Sequence, residues 1–306
     1  MTLPRRPDAP PTVHLLSVFA AGPGGGNPAP VVSDAAGMSD GDMQGVARAY
    51  GHESGFVLPP PSGSDCDFAL RFWVPNHEME MCGHATVGAV WLLGRLGRLP
   101  RDSVALQTRS GRVDAQVTGR GTAEMRVETS QPRGQVEPLP DAGQAGALLS
   151  VLGISSDELA SQPIRNACTS RVKTLIPLKS AAVLDGLRPD YGRVGGVCER
   201  IGSTGLYPFA PADDGAWDAR QFPKSSGYPE EAATGIAAAA LAFGLLEGGL
   251  VGAGNGRPVL VRQGRAMGRP SEIAVRFQRD GAGQVQGCWL GGAVRMEVEA
   301  GSPPAG

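Results

Sequence analysis

The residues of this chain that could do chemistry fall in two short stretches. The first is Gly51-His52-Glu53-Ser54-Gly55-Phe56, followed after a strand-like segment by His77, Glu78, Glu80, Cys82 and His84. The second places Glu230 and Glu231 just ahead of Thr234-Gly235. Carboxylates and imidazoles are side chains whose proton affinity a site can tune, so the set suits general acid–base catalysis. A thiol at a helix N-terminus, the position Cys82 would take, is the kind that becomes more acidic there. Each residue also has a plainer reading. Glu53 fits an exposed strand edge, His84 a helix cap and Cys82 a small buried filler. Glu78 and Glu80 read as solvated loop charges, and Glu230 and Glu231 as first-turn acids favoured by a helix dipole.

Other chemistries find less support. Cys66, Cys82, Cys168, Cys198 and Cys288 are scattered, with no CxxC pair, so the spacing indicates neither a metal site nor a disulfide framework. Reduced thiols fit the cytoplasm best. The glycines from Gly22 to Gly26 lack the Lys-Ser/Thr of a phosphate-binding loop and read as a turn. A net charge of −2 offers no basic footprint for nucleic acid, and no apolar run is long enough to span a membrane. Residues 1–12 are polar and proline-rich and read as a disordered leader rather than a secretory signal.

The elements that must position the reactive groups form a repeat. In the first half a strand over 67–74 alternates Phe68, Leu70, Phe72 and Val74 with Asp67, Ala69, Arg71 and Trp73. A polar loop over 75–83 and an apolar helix over 84–96 follow. In the second half a strand ends at Phe222, a polar loop covers 223–233 and an apolar helix covers 234–246. A helix that is apolar on every face, such as 236–243, must be buried on all sides. Two sheets, each wrapped around one such helix, would achieve this. The expected fold class is α+β, in two pseudo-repeated halves, each a curled, mostly antiparallel sheet around a central apolar helix. The halves are expected at 13–130 and 145–299, with a Pro/Gly-rich linker at 131–144. Packed face to face, they would aim both helix N-termini at one cleft, where unpaired N–H groups suit a carboxylate. Gly83 and Gly235 would admit a ligand close to the backbone.

The ordered set Asn27-Pro28, Gly51-His52-Glu53-Ser54-Gly55-Phe56, Met81-Cys82-Gly83-His84-Ala85-Thr86, Glu231-Ala232-Ala233-Thr234-Gly235 and Gln263-Gly264-Arg265 resembles the successive motifs of the PhzF-like isomerases of phenazine biosynthesis. The resemblance implies a diaminopimelate-epimerase-like fold, commonly homodimeric, needing neither metal nor organic cofactor. It implies that Glu53 is the catalytic proton shuttle and that Gly83-His84 lies against a small carboxylate-bearing substrate. Asn27, Gly83, Ala85, Thr234 and Gly235 are the implied substrate-binding positions. Glu231 stands where the family has Asp, which moves the charge outward by one methylene, and Ala232 stands where Pro is usual. Cys82 replaces a small apolar residue. Amino-acid racemases of the same fold carry Cys there, but their second Cys would fall at Ala232. The expected function is a proton shift with double-bond migration, in antibiotic or other secondary metabolism. An epimerase or hydroxyproline-type dehydratase using Cys82, and a binding-only protein, are the alternatives.

Overall fold

The second half of the chain repeats the strand order of the first, with additional helices over Ala145–Leu152 and Ala181–Gly186. The structure, a computed structural model, describes residues 11–254 and 256–298. Most of the polar leader and the expected end of the second half at 299 lie outside the described residues. The described chain packs as two compact units, one holding 11–18, 28–129 and 293–298 and the other 19–27, 130–254 and 256–292.

The first unit opens with β1 (Val13–Val18) and β2 (Asn27–Val32), and α1 (Asp40–Tyr50) crosses over to β3 (Ser54–Leu58), which runs parallel to β2. Ser39 caps α1 through a reciprocal box with Asp42, and Gly51 ends it in the left-handed region at φ 67°. β4 (Phe68–Trp73) pairs antiparallel with β3, and the two-residue β5 (Glu78–Met79) pairs with β4. α2 (Gly83–Arg95) then crosses to β6 (Ser103–Thr108), parallel to β4. The Arg109-Ser110 turn leads into β7 (Gly111–Thr118), and β8 (Arg126–Pro132) extends the antiparallel run. α2 packs against β1, β3 and β7, and every residue of it except Trp91 and Arg95 is buried. Gly88 permits the close approach, since a Cβ there would stand 3.2 Å from both Leu16 and Val18.

The second unit adds β9 (Gln135–Pro138) and α3 (Ala145–Leu152), then repeats the pattern. β10 (Arg165–Cys168) pairs antiparallel with β9 and with β11 (Val172–Pro177). α4 (Ala181–Gly186) and α5 (Tyr191–Arg200) cross over to β12 (Gly205–Pro211), parallel to β11. β13 (Trp217–Ala219) and the short β14 (Phe222–Pro223) return antiparallel to β12. α6 (Gly235–Glu247) then crosses to β15 (Val259–Gln263), parallel to β13. β16 (Ser271–Arg279) and β17 (Val285–Gly292) finish the meander; β18 (Val294–Val298) belongs to the first unit, where it pairs antiparallel with β1. α6 packs against β9, β10, β11, β16 and β17, as its all-round apolar sequence requires. On the outer face, Leu148, Val151, Leu184, Val194 and Val197 from α3, α4 and α5 close over Ile176, Leu206 and Phe222.

Two expectations differ from the structure. Residues 131–144 include the end of β8 and all of β9, which is hydrogen-bonded along β10. Their prolines Pro132 and Pro138 sit at strand ends, where a missing N–H costs little, so composition alone misread strand as linker. The strand expected to end at Phe222 divides into β13 and β14, and Gln221 between them bridges to Glu231. Among the described residues no helix is long and apolar enough to cross a membrane.

Candidate active site

Glu53 is the last of the three residues between the end of α1 and the start of β3. After the left-handed Gly51, Ser54 is buried and its Oγ donates to the His52 carbonyl at 3.1 Å. Gly55 then passes the first turn of α2, where a Cβ would already touch Ala85 Cβ at 3.4 Å. The Gly51-to-Phe56 motif thus carries Glu53 to the head of α2. Cys82 precedes that helix in extended conformation (φ −139°, ψ 110°) and makes no side-chain cap. Thr86 holds the Cys82 carbonyl twice, through Oγ1 at 2.7 Å and N–H at 3.0 Å. With the backbone so fixed, Cys82 Sγ donates to Glu53 Oε2 at 3.0 Å and lies 3.4 Å from His84 Nδ1. Nδ1 is itself 3.5 Å from the same Oε2.

Burial decides the charge state of this cluster. His84 is 6% exposed, and desolvation lowers its pKa below 6.5; the Glu53 charge and the Pro28 carbonyl push back only in part. The ring is therefore neutral at neutral pH, and its contact with Glu53 is not an ion pair. Nε2 is buried without a partner in full hydrogen-bond geometry. Gly83, His84 and Ala85 form the first turn of α2, whose N–H groups have no intrahelical acceptor and present the positive end of the helix. A carboxylate steadied by a thiol, a neutral imidazole and an anion-favouring helix end together suit proton transfer on a carboxylate-bearing molecule.

In the second unit a directed chain of hydrogen bonds ends on Glu231. Burial first, and then the Glu231 charge, raise the Tyr207 pKa, so the phenol keeps its proton. It donates to Gln263 Oε1 at 3.0 Å, which fixes the orientation of that amide. Gln263 Nε2 then donates to the Glu231 carbonyl at 2.7 Å and to Thr234 Oγ1 at 3.2 Å. The Thr234 hydroxyl donates to Glu231 Oε2. Gly264, at φ 80°, lets this strand end pass Ala232, whose carbonyl would be 2.6 Å from a Cβ. Asn27 Nδ2 donates to the Ala233 carbonyl at 2.8 Å, so its side chain braces the loop before α6. Gly235 begins α6 with no room for a side chain, because a Cβ would meet Leu290 at 2.6 Å.

The residues expected from the sequence therefore form two groups. Glu53, Cys82 and His84 meet, with Gly83 and Ala85 in the same turn; Glu231, Thr234 and Gly235 meet, with Asn27 beside them. Tyr207 and Gln263 were assigned no role in sequence. A lone tyrosine in an apolar strand was the available signal, because a buried phenol needs a partner. His77 and Glu80 are exposed. Glu78 is not a solvated loop charge: β5 lays it beside Arg71, which binds it at 2.7 Å, and Arg109 binds it at 2.6 Å. Those hydrogen bonds, Arg71 first, hold its carboxyl below the usual range against the effect of burial. Glu230 is not a first-turn acid but half of a buried pair, 2.7 Å from Arg220. Elsewhere, the concavity lined by Glu137, Asn166 and Cys168 gathers no comparable acid–base set, and burial pushes the Cys168 thiol up.

The profile of the PhzC-PhzF family, described as phenazine biosynthesis-like protein, matches residues 16–297. The chain belongs to this family. An uncharacterized isomerase of Deinococcus radiodurans is 33% identical over 289 residues, covering 93% of this chain and 92% of that protein. The trans-2,3-dihydro-3-hydroxyanthranilate isomerase of Pseudomonas fluorescens is 30% identical over 258 residues, covering 84% of this chain and 87% of the relative. A crystal structure of a Bacillus anthracis PhzF-family protein superposes with a TM-score of 0.82 over 95% of this chain and 98% of its own, at 24% identity. The PhzF-family chain is an isomerase with a diaminopimelate-epimerase-like α+β fold.

Proposed function

We propose that this PhzF-family isomerase moves a proton between carbons of a small unsaturated cyclic amino acid or carboxylic acid, with Glu53 as the shuttle and no cofactor. The observation that carries the reading is the placement of Glu53 Oε2, 3.0 Å from the Cys82 thiol and 3.5 Å from a neutral His84 Nδ1, at the head of α2. A carboxylate cannot remove an ordinary alkyl proton, so the C–H bond must be acidified by conjugation to a carboxylate or imine. Glu53 takes that proton, and the C–H electron pair becomes a new double bond as the old one shifts. The carbon at the far end of the system receives the proton back from Glu53. His84 orients the substrate, and the first-turn N–H groups of α2 hold its carboxylate. Positioning and hydrogen bonds to the developing anion supply the rest of the rate.

The substrate class follows the Pseudomonas fluorescens relative, named for a dihydro-hydroxyanthranilate; a pyrroline-carboxylate is the other candidate. The family resemblance extends the reading to a cytoplasmic homodimer serving secondary metabolism, and sedimentation of the purified protein as a monomer would remove the dimer from it. Incubation with such cyclic acids in heavy water, followed by proton NMR, tests the reaction. The expected product has a displaced double bond, with deuterium at the new C–H to the extent that the proton on Glu53 exchanges with solvent before its return. Glu53→Gln should lower turnover by about 10²–10⁴-fold with little change in ligand binding; near-normal turnover would refute the shuttle.

The second reading, epimerisation with Cys82 and Glu53 as opposed bases, is opposed by geometry. Two groups 3.0 Å apart leave no space for a substrate carbon between them. Cys82→Ser should therefore slow the proton shift without abolishing it, whereas a Cys82-centred epimerase would lose all activity.

A further inference from the structure

We propose that Glu53, Cys82 and His84 also form a three-donor Zn²⁺ site, and that zinc bound there silences the isomerase. The proposal uses the same side chains as the proton shuttle but does not require that function to be right. Among the described residues, Glu53, Cys82 and His84 are the group of His, Cys and acidic donors close enough to share an ion, with their ligand atoms all within 4.8 Å of one another. The triangle has edges of 3.0 Å from Sγ to Oε2, 3.4 Å from Sγ to Nδ1 and 3.5 Å from Nδ1 to Oε2. Tetrahedral zinc with ordinary bonds to sulfur, nitrogen and oxygen places its donors about 3.3–3.6 Å apart. Two edges already fit. The short Sγ–Oε2 edge is held by the thiol proton that an ion would replace, and it needs to open by only about 0.5 Å.

Donor chemistry and burial agree with the geometry. Thiolate, imidazole and carboxylate are the ligand types of catalytic zinc, and three protein ligands leave a fourth position for water or a substrate carboxylate. Cys82 is 3% exposed and His84 6%, so both donors stand preorganised in a place where an unpaired charge is costly. One thiolate and one carboxylate neutralise Zn²⁺ there. Binding replaces the thiol proton with the metal, and that proton leaves to solvent. The lone pair of Glu53 that would accept a substrate proton is then engaged by the ion. Glu53 lies 29 positions before Cys82, which is why ligand-spacing motifs miss the set.

Titrating the full chain with Co²⁺, which takes zinc sites and reports thiolate ligation in its visible and near-ultraviolet spectrum, tests this without turnover. One Co²⁺ per chain with a thiolate charge-transfer band is expected, displaced by Zn²⁺. Cys82→Ser should abolish the band, and Glu53→Gln should weaken Co²⁺ binding by at least about 10–100-fold, no less than loss of an outer-shell partner. Cys168→Ser, which removes a half-buried thiol elsewhere, should leave the band intact. No band, or a band that survives Cys82→Ser or disappears in Cys168→Ser, overturns the proposal. Failure of Glu53 as shuttle would appear instead in metal-free turnover.

Discussion

At the scale of single residues, the state of His84 carries a measurable consequence. Burial holds its folded pKa below the unfolded value of 6.5. As pH falls through about 6.5, the unfolded chain takes up a proton that the folded chain resists, so stability declines on the acid side until the folded pKa is passed. Urea unfolding between pH 7.5 and 5.5 should show this loss, and His84→Asn should flatten it. His14, which burial also lowers, contributes a slope of the same sign, so the informative quantity is the difference between the two proteins. The residue scale is also where the sequence was least explicit. Nothing in the spacing around Glu53 distinguishes a shuttle from a strand-edge acid, because its partner thiol is 29 positions away. The shuttle reading came from the family resemblance alone. Cys82 was ambiguous for the same reason, and its hydrogen bond to Glu53 is a product of tertiary packing.

At the scale of elements, the sequence was far more legible. α2 and α6 were expected within a residue or two of their ends, since apolar faces are local features. The errors fell where tertiary contacts override composition, at β9 and at the break between β13 and β14. Arg220 occupies that break and fastens it. Its guanidinium pairs with Glu230 through two nitrogens, at 2.9 and 2.7 Å, and Nη1 donates to the Leu184 and Leu187 carbonyls at the end of α4. Burial would lower the Arg220 pKa, but the Glu230 hydrogen bonds and charge outweigh it, so the pair stays ionised on that side. Glu230→Ala would strand a buried cation and should cost about 3–5 kcal/mol in chemical denaturation, while exchanging both partners for apolar residues should cost far less. Equal costs would mean that the pair is not a coupled unit.

At the scale of the whole molecule, the repeat was legible as strand, polar loop and apolar helix, but its extent was not. The structure shows it in the crossovers too: β2 to β3 and β4 to β6 in one unit, β11 to β12 and β13 to β15 in the other, all parallel. Such pairings join residues distant in sequence and leave no local pattern. The two copies differ where chemistry would enter. β3 is preceded by Glu53, whereas β12, its counterpart, is preceded by Ser203 and Thr204, neither of them ionisable near neutrality. The symmetry of the backbone is thus broken in its side chains, and the consequence is stereochemical. One carboxyl group delivering hydrogen from one side should make a product labelled at a single prochiral position in heavy water. A racemic label would point to a second donor, and a protein whose halves look alike would then be working from both.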